Sequence, residues 1–187
     1  IETTQINISP ILKGLGTSDF FLSATAGRKA WKNIVTIIMK MTGHTTKKDY
    51  LAFLSGKLDP SKRKLIAKIS SKQRARLLAA YKFAEENNYI LAGSTHKTEE
   101  MVGPFCKYGI DDCADIMPLK NKYRSQILQL AQYIKIPQEI LSRSPNPDIL
   151  PGVTDKYESY FGLTYRDIDL ILFGFEQAMT PQEIAEQ

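Results

Sequence analysis

The feature that most constrains the fold is a pair of short apolar runs. A glycine turn and the start of a helix lie between them. The first run is YILA at 89–92, followed by Gly93 and a helix start near Ser94 or Thr95. The second run is ADIMP at 114–118. Strands that alternate with helices are typical of a parallel sheet covered by helices. We therefore expect an α/β domain in which the residues that follow these strands face a ligand crevice.

Helical periodicity covers much of the remaining chain. Helices are predicted at 28–41, 48–54, 71–86, 121–134, 137–141 and 164–175, with a short one opened by Ser9 and Pro10. The 71–86 helix is expected to bury Leu77, Leu78, Tyr81 and Ala84. The polar stretch 55–64 predicts an exposed loop, and the three prolines of SPNPDILPG (144–152) exclude regular structure there.

The two ends of the sequence carry their own signals. Alternation of Ile6 and Ile8 predicts an N-terminal strand, while Thr180, Pro181 and Glu183 form the start signature of a helix. The chain thus begins within a predicted strand and stops just after a helix start. We expect residues 1–187 to form a single α/β domain that is truncated at both ends.

Composition narrows the class of protein. A chain of 187 residues with 43% hydrophobic residues is long enough to bury a core, and its net charge of +5 suits anionic ligands such as nucleotides. Cys106 and Cys113 form neither a metal-ligand pattern nor a disulfide framework, which favours a reducing cytoplasm. No apolar run approaches the roughly 20 residues that span a bilayer, so we expect neither a membrane span nor a signal peptide.

The turn after YILA has the chemistry of an anion site. Gly93 and the hydroxyls that follow leave several backbone N–H groups free at the start of a helix, although packing alone often produces such a turn. Glu99 follows within the helix, and a carboxylate near phosphates is best explained by Mg²⁺; a solvated surface glutamate is the alternative. His96 is interpreted as a helix-start residue that bonds the backbone, because no second metal ligand has zinc spacing.

Acidic and basic groups flank this turn. Asp115 opens the second strand and is expected to face the crevice more directly than Asp111 or Asp112. Arg74 and Arg76 are two positions apart on a predicted helix, so they point in different directions, one to a phosphate and one to another partner. A solvated charged face is the alternative, and the aromatic interleaving of single-strand nucleic-acid binders is missing. The residues alone indicate a nucleotide-sized anion site.

Several segments together resemble the ammonia-dependent NAD synthase family, in the adenine-nucleotide pyrophosphatase group. The resemblance covers about 70–173, and its motifs occur in the family's order. They are Lys72-x-Arg74-x-Arg76, GSTHKTE, CKYG, ADIMPL, KYR, PNPDIL, GVTD and FGLTYRDID. The resemblance implies a doubly wound parallel sheet and a homodimer with the dinucleotide site near its interface. It also implies amidation of deamido-NAD by ammonia with ATP and Mg²⁺, through an acyl-adenylate.

The resemblance also assigns roles to residues at matching motif positions. Arg76 and Ser94 contact ATP, and Arg124 takes the place of a phosphate-binding lysine. Glu99 holds Mg²⁺, joined by Asn146 in place of a threonine or serine. The deamido-NAD side is assigned to Arg74, Lys107, Asp115 and either Asp111 or Asp112. No residue acts as a catalytic nucleophile, since the reaction depends on positioning and charge.

The chain departs from the family pattern at several points. Ser70 replaces an asparagine, Val153 a glutamine and Lys156 a glutamate, and KYGIDDCAD is one residue longer than its counterpart. The family's N-terminal S-G-G-x-D-S loop is not in the sequence, so we expect these residues alone to be inactive. The alternatives are an inactive nucleotide-binding or assembly module and a related ATP pyrophosphatase with another substrate.

Overall fold

The computed structural model describes residues 3–17, 51–53, 55–103, 106, 108–110, 112–145 and 155–186. Its helices are α1 Ser9–Gly14, α2 Pro60–Glu86, α3 Lys97–Val102, α4 Arg124–Tyr133, α5 Gln138–Leu141, α6 Lys156–Phe161, α7 Tyr165–Glu176 and α8 Pro181–Ala185. The predicted helix 28–41 lies outside the described residues, as does most of 48–54, of which residues 51–53 are helical.

The segments 89–92 and 114–118, which the sequence predicted as strands, meet in parallel at one isolated bridge. A bridge joins Ala92 to Ile116; Gly93 N donates to Ile116 O at 2.8 Å, and Asp115 N donates to Leu91 O at 3.0 Å. A side chain on Gly93 would place its Cβ only 3.0 Å from the Cβ of Ala114, so glycine permits this close approach. Within the described ranges no further strand pairing is present, and the rest of the doubly wound sheet stays a prediction.

The predicted N-terminal strand is wrong for residues 3–8, which have no regular structure. Ser9 N donates to the Asn7 side chain at 3.0 Å and leads directly into α1, the short helix that Ser9 and Pro10 predicted. The alternation of Ile6 and Ile8 is not sufficient, because a strand needs a neighbour for its backbone groups and no described segment supplies one.

Helix α2 begins earlier than the sequence pattern indicated. The side chain of Asp59 caps it, accepting from Ser61 N at 3.0 Å and Lys62 N at 3.1 Å, and Pro60 takes the first helical position. The predicted loop 55–64 is therefore wrong from residue 60 onward, because an Asp-Pro start outweighs polar composition. Ala84 is buried as expected, but Leu78 is 62% exposed.

Helix α7 occupies the centre of the C-terminal part. It packs against α3, α4 and α8, and its buried residues are Ile168, Asp169 and Gly174. The capping box of Thr164 with Asp167 starts α7, which confirms that predicted start. The same device, Thr180 with Glu183, starts α8. None of the described helices combines the length and apolar character needed to cross a membrane.

Gly174 allows α8 to lie close against α7. A Cβ at this position would lie 2.5 Å from Cγ1 and 2.9 Å from Cδ1 of Ile184. We expect Gly174→Ala to destabilise the fold by about 1–3 kcal/mol through overpacking, reduced by up to about 1 kcal/mol of helix propensity. Urea unfolding measures the change. Adding Ile184→Ala is expected to remove the penalty of the alanine; an equal penalty with and without Ile184 would contradict the contact.

Candidate functional site

The start of α3 is fixed by a reciprocal cap between His96 and Glu99. His96 Nδ1 accepts from Glu99 N at 3.4 Å, and Glu99 Oε2 accepts from His96 N at 3.5 Å. Burial holds the pKa of His96 below its ordinary value, although the Glu99 carboxylate partly opposes the shift. A neutral imidazole whose Nδ1 accepts carries its proton on Nε2. His96 therefore has the helix-start role that its sequence position indicated.

Glu99 forms an ion pair with Lys156, the first residue of α6. Nζ of Lys156 donates to Oε1 of Glu99, and both side chains are largely buried. Burial raises the pKa of Glu99, but the neighbouring Lys156 ammonium and His96 outweigh it and bring the pKa below its ordinary value. Glu99 is thus an anion in the folded protein, paired with a cation from the same chain.

The described residues do not fit a Mg²⁺ ion at Glu99. Mg²⁺ binds through one or two free carboxylates together with phosphates and waters. The Glu99 carboxylate is already paired with the Lys156 ammonium. The part of the chain that is described contains no group of three His, Cys, Asp or Glu residues that could hold a metal ion. Asn146, the second predicted metal residue, lies outside the described residues.

A buried carboxylate on α7 ties α3 to α4. Asp169 Oδ1 accepts from Thr98 Oγ1 at 2.6 Å, and Asp169 Oδ2 accepts from Ser125 N at 2.8 Å and Ser125 Oγ at 2.7 Å. Thr98 Oγ1 in turn accepts from Arg124 N at 2.9 Å. Because these bonds satisfy N–H groups at the start of α4, they fix the position of Arg124.

A second carboxylate of α7 reaches the same two elements. Glu176 Oε2 accepts from Lys97 Nζ and from Tyr123 OH, both at 2.6 Å. The Lys97 ammonium also lies 4.8 Å from the centre of the Tyr123 ring. Burial and the bond to Glu176 raise the pKa of Tyr123, so its hydroxyl stays protonated and donates. The start of α3 and the residue before α4 are thereby joined at a second point.

Four buried polar atoms near the Glu99–Lys156 pair lack a hydrogen-bond partner among the described residues. They are Thr95 Oγ1, His96 Nε2, Arg124 Nε and Tyr157 OH. Buried polar atoms in folded proteins are almost always paired, so water or a bound group is expected to satisfy them. The carboxylate of Glu99 lies 3.5 Å from His96 Nε2, which is longer than an ordinary hydrogen bond.

The contacts bring Glu99 and Arg124 into one cluster, because Thr98 on α3 accepts the backbone N–H of Arg124. Ser94, Arg74 and Arg76 are exposed, and Arg76 donates to the Gln73 side chain at 3.3 Å. Arg74 lines a groove of about 690 Å³ between α2 and the end of α3, together with Arg63, Glu100 and Asp112.

Asp115 has a structural contact in the described part of the chain. Its Oδ2 accepts from Leu91 N at 2.7 Å, and its Oδ1 lies 3.4 Å from the Tyr81 hydroxyl, which links the second strand to the first and to α2. Its predicted substrate role stays a prediction. Lys107 and Asp111 lie outside the described residues, so their predicted roles also stay predictions.

Sequence reasoning missed two members of the cluster. Asp169 is the last residue of the FGLTYRDID motif, but the motif alone assigned it no function. Lys156 was noted as a departure from the family pattern, and its partner is 57 positions away in the chain. Ion-pair partners at such separations leave no local pattern.

A parallel bridge between two segments, a glycine turn after the first of them and a buried charged cluster beyond that turn are typical of an α/β domain whose ligand crevice lies past the strand ends. The sequence profile of the NAD synthase family matches residues 23–187, and the chain belongs to that family.

Relatives and a solved structure agree with this assignment. The NH(3)-dependent NAD(+) synthetase of Coprothermobacter proteolyticus is 32% identical over 190 residues, which cover 97% of this chain and 62% of the relative. That of Sulfurisphaera tokodaii is 40% identical over 116 residues, covering 62% of this chain and 40% of the relative. The structure of NMN synthetase from Francisella tularensis is similar with a TM-score of 0.52 and 31% identity, over 70% of this chain and 51% of that chain.

These matches span only part of the relatives. The chain covers 62% and 40% of the lengths of the two synthetases. For this chain, the activity of those whole proteins is therefore a proposal.

Proposed function

We propose that this chain is the ATP- and ammonia-using part of an NAD synthase, which amidates deamido-NAD to NAD. The observation that carries the proposal is the cluster in which Thr98 joins Glu99 on α3 to Arg124 on α4, in a chain 32% identical to an NH(3)-dependent NAD(+) synthetase over 97% of its length. Two residues that the family resemblance assigns to the site, Glu99 and Arg124, support the proposal by lying in one cluster.

The proposed reaction has two displacements. The nicotinate carboxylate attacks the α-phosphorus of ATP, supplied as its Mg²⁺ complex, and pyrophosphate leaves. Ammonia then attacks the carbonyl carbon of the acyl-adenylate, AMP leaves, and the ammonium formed releases a proton to give the amide. Both steps need charge placed beside phosphates and a fixed approach rather than a protein nucleophile.

In this proposal Arg124 binds a phosphate of ATP. Its position is fixed by the bond of its backbone to Thr98, and its buried Nε has no partner among the described residues. A guanidinium presents paired donors to phosphate oxygens, which makes it a good substitute for a lysine. Ser94 and Arg76 complete the ATP side, while Arg74, Lys107, Asp115 and Asp111 or Asp112 serve deamido-NAD.

A homodimer is part of the proposal. The surfaces of α4 and α7 expose large apolar side chains, namely Leu130, Tyr133, Leu170 and Phe173, in the described structure. Contiguous exposed apolar side chains are typical of a subunit interface. Light scattering after size exclusion measures the oligomeric state, and a monomer at all concentrations would contradict this part of the proposal.

The functional test follows NAD and pyrophosphate formation from deamido-NAD, ATP, Mg²⁺ and ammonium by the complete protein. We expect Arg124→Ala to lower kcat/KM for ATP by about 30- to 100-fold, the equivalent of about 2–3 kcal/mol for a lost charge-assisted bond. Arg166→Ala is the matched control, because Arg166 is exposed and lies 5.9 Å from the centre of the Tyr165 ring, which Arg124 also contacts at 5.3 Å. Equal effects of the two substitutions would contradict the role of Arg124.

A second substrate belongs in the same assay. The Francisella tularensis relative is described as an NMN synthetase, so nicotinic acid mononucleotide is the second candidate substrate. A higher kcat/KM for the mononucleotide would replace deamido-NAD in the proposal. Absence of pyrophosphate release with both substrates would favour an inactive nucleotide-binding module.

A further inference from the structure

The carboxylate that the family resemblance assigns to a metal ion holds a cation of the chain itself. Nζ of Lys156 lies against Oε1 of Glu99, and the two side chains are only 11% and 17% exposed. We propose that the Lys156 ammonium occupies the cation position at Glu99 and excludes a divalent ion from it. The inference goes beyond the proposed amidation and does not need it to occur.

Local structure holds Lys156 in this position. Asp155 caps α6 by accepting from Tyr157 N at 2.8 Å and Glu158 N at 3.2 Å, which makes Lys156 the first residue of the helix. Its ammonium lies 5.3 Å from the centre of the Tyr157 ring, and that ring is fully buried. Cation–π attraction and the Glu99 carboxylate therefore stabilise the same position of Nζ.

The remaining charges near Glu99 do not favour a divalent ion. Arg124 adds a second positive charge, which interacts electrostatically with both His96 and Tyr157. The nearby carboxylate of Asp169 uses both oxygens to accept bonds from Thr98 and Ser125. A divalent ion at Glu99 would have to displace the lysine and leave its ammonium buried without a counter-ion, which is strongly unfavourable.

A neighbouring ion pair, also formed by a glutamate of α3, differs in its exposure to solvent. Glu100 pairs with Lys120 at 3.0 Å, but these side chains are 39% and 43% exposed. Water screens such a pair, and either partner separates from the other at little cost. The exclusion is expected only at Glu99, which makes the Glu100 pair a matched control.

The test is a titration of the full chain with Mn²⁺ alone, in which electron paramagnetic resonance measures free Mn²⁺ without any nucleotide. Wild type and Glu99→Gln are expected to give the same titration, because Glu99 does not bind the ion. Lys156→Glu places two carboxylates together and is expected to bind Mn²⁺ at least ten-fold more tightly than wild type. The double variant Lys156→Glu/Glu99→Gln is expected to lose that gain, and Lys120→Glu to show none.

Two results would overturn the inference. One is weaker Mn²⁺ binding by Glu99→Gln than by wild type, which would make Glu99 a metal ligand in the presence of Lys156. The other is a folded Lys156→Glu variant that gains no Glu99-dependent binding. If circular dichroism shows that this variant does not fold, Lys156→Gln replaces it, with an expected gain of at least three-fold that Glu99→Gln removes. If the Mn²⁺ titrations give the expected results but no NAD is formed, only the proposed function is contradicted.

Discussion

Replacing Asp169 by alanine is expected to lower the free energy of unfolding by roughly 3–5 kcal/mol, because several buried hydrogen bonds are lost at once. Asp169 is 4% exposed and accepts from the Thr98 hydroxyl and from both the backbone and the hydroxyl of Ser125. Alanine removes both acceptor oxygens, and with them three hydrogen bonds, and leaves buried donors unpaired. Urea unfolding followed by circular dichroism measures the loss.

Asp167→Ala is the control for this prediction. Asp167 is on the same helix and also accepts from backbone and hydroxyl, at 3.0 Å from Thr164 N and 2.7 Å from Thr164 Oγ1, but in an exposed cap. Loss of an exposed cap costs about 1 kcal/mol. A loss for Asp169→Ala no larger than that for Asp167→Ala would show that burial adds nothing and that α3 and α4 hold their positions without this carboxylate.

Glu99→Gln is expected to lower kcat of the complete protein by about 100-fold, equivalent to about 2.7 kcal/mol of transition-state stabilisation, with the fold retained. Glutamine keeps the shape of the side chain but leaves the Lys156 ammonium buried without its counter-ion. The lysine is then expected to turn away, which changes the charge beside Arg124. Steady-state assays of NAD formation measure kcat, and circular dichroism measures the fold.

The double variant with Lys156→Met separates the two explanations of such a loss. If Glu99 and Lys156 act as a pair, the double variant is expected to lose no more activity than Glu99→Gln, and extra Mg²⁺ is expected to restore none of it. Recovery of kcat at high Mg²⁺ would instead favour the metal role that the family resemblance assigns. Unchanged kcat for Glu99→Gln at saturating Mg²⁺ would exclude any role of this carboxylate in turnover.

The parts of the fold that could be predicted have local causes. The starts of α7 and α8 are each predicted by a capping pair within four residues. These pairs are Thr164 with Asp167 and Thr180 with Glu183, and the structure forms both capping boxes. The order of YILA, a glycine turn and ADIMP predicted the parallel direction seen at the bridge between Ala92 and Ile116. Capping and strand order act over short stretches, so the sequence displays them directly.

The parts that could not be predicted depend on distant partners. Helix α6 begins with a lysine that is buried against Glu99, and a lysine by itself gives no core signal in the sequence. Asp169 lies 71 positions from Thr98, and its acceptor role becomes visible only when α3 and α7 are in contact. The family motifs singled out Glu99 and Arg124, whereas the groups that position and neutralise them became visible only in the three-dimensional structure.

The spacing of two carboxylates on α7 limits how this region can change in length. Asp169 and Glu176 are seven residues apart, so they lie on the same side of the helix two turns from each other. One reaches Thr98 and Ser125, and the other reaches Lys97 and Tyr123. Deleting one residue between them would rotate one carboxylate by about 100° relative to the other. A substitution in this segment of α7 leaves the two carboxylates in register, whereas an insertion or a deletion does not.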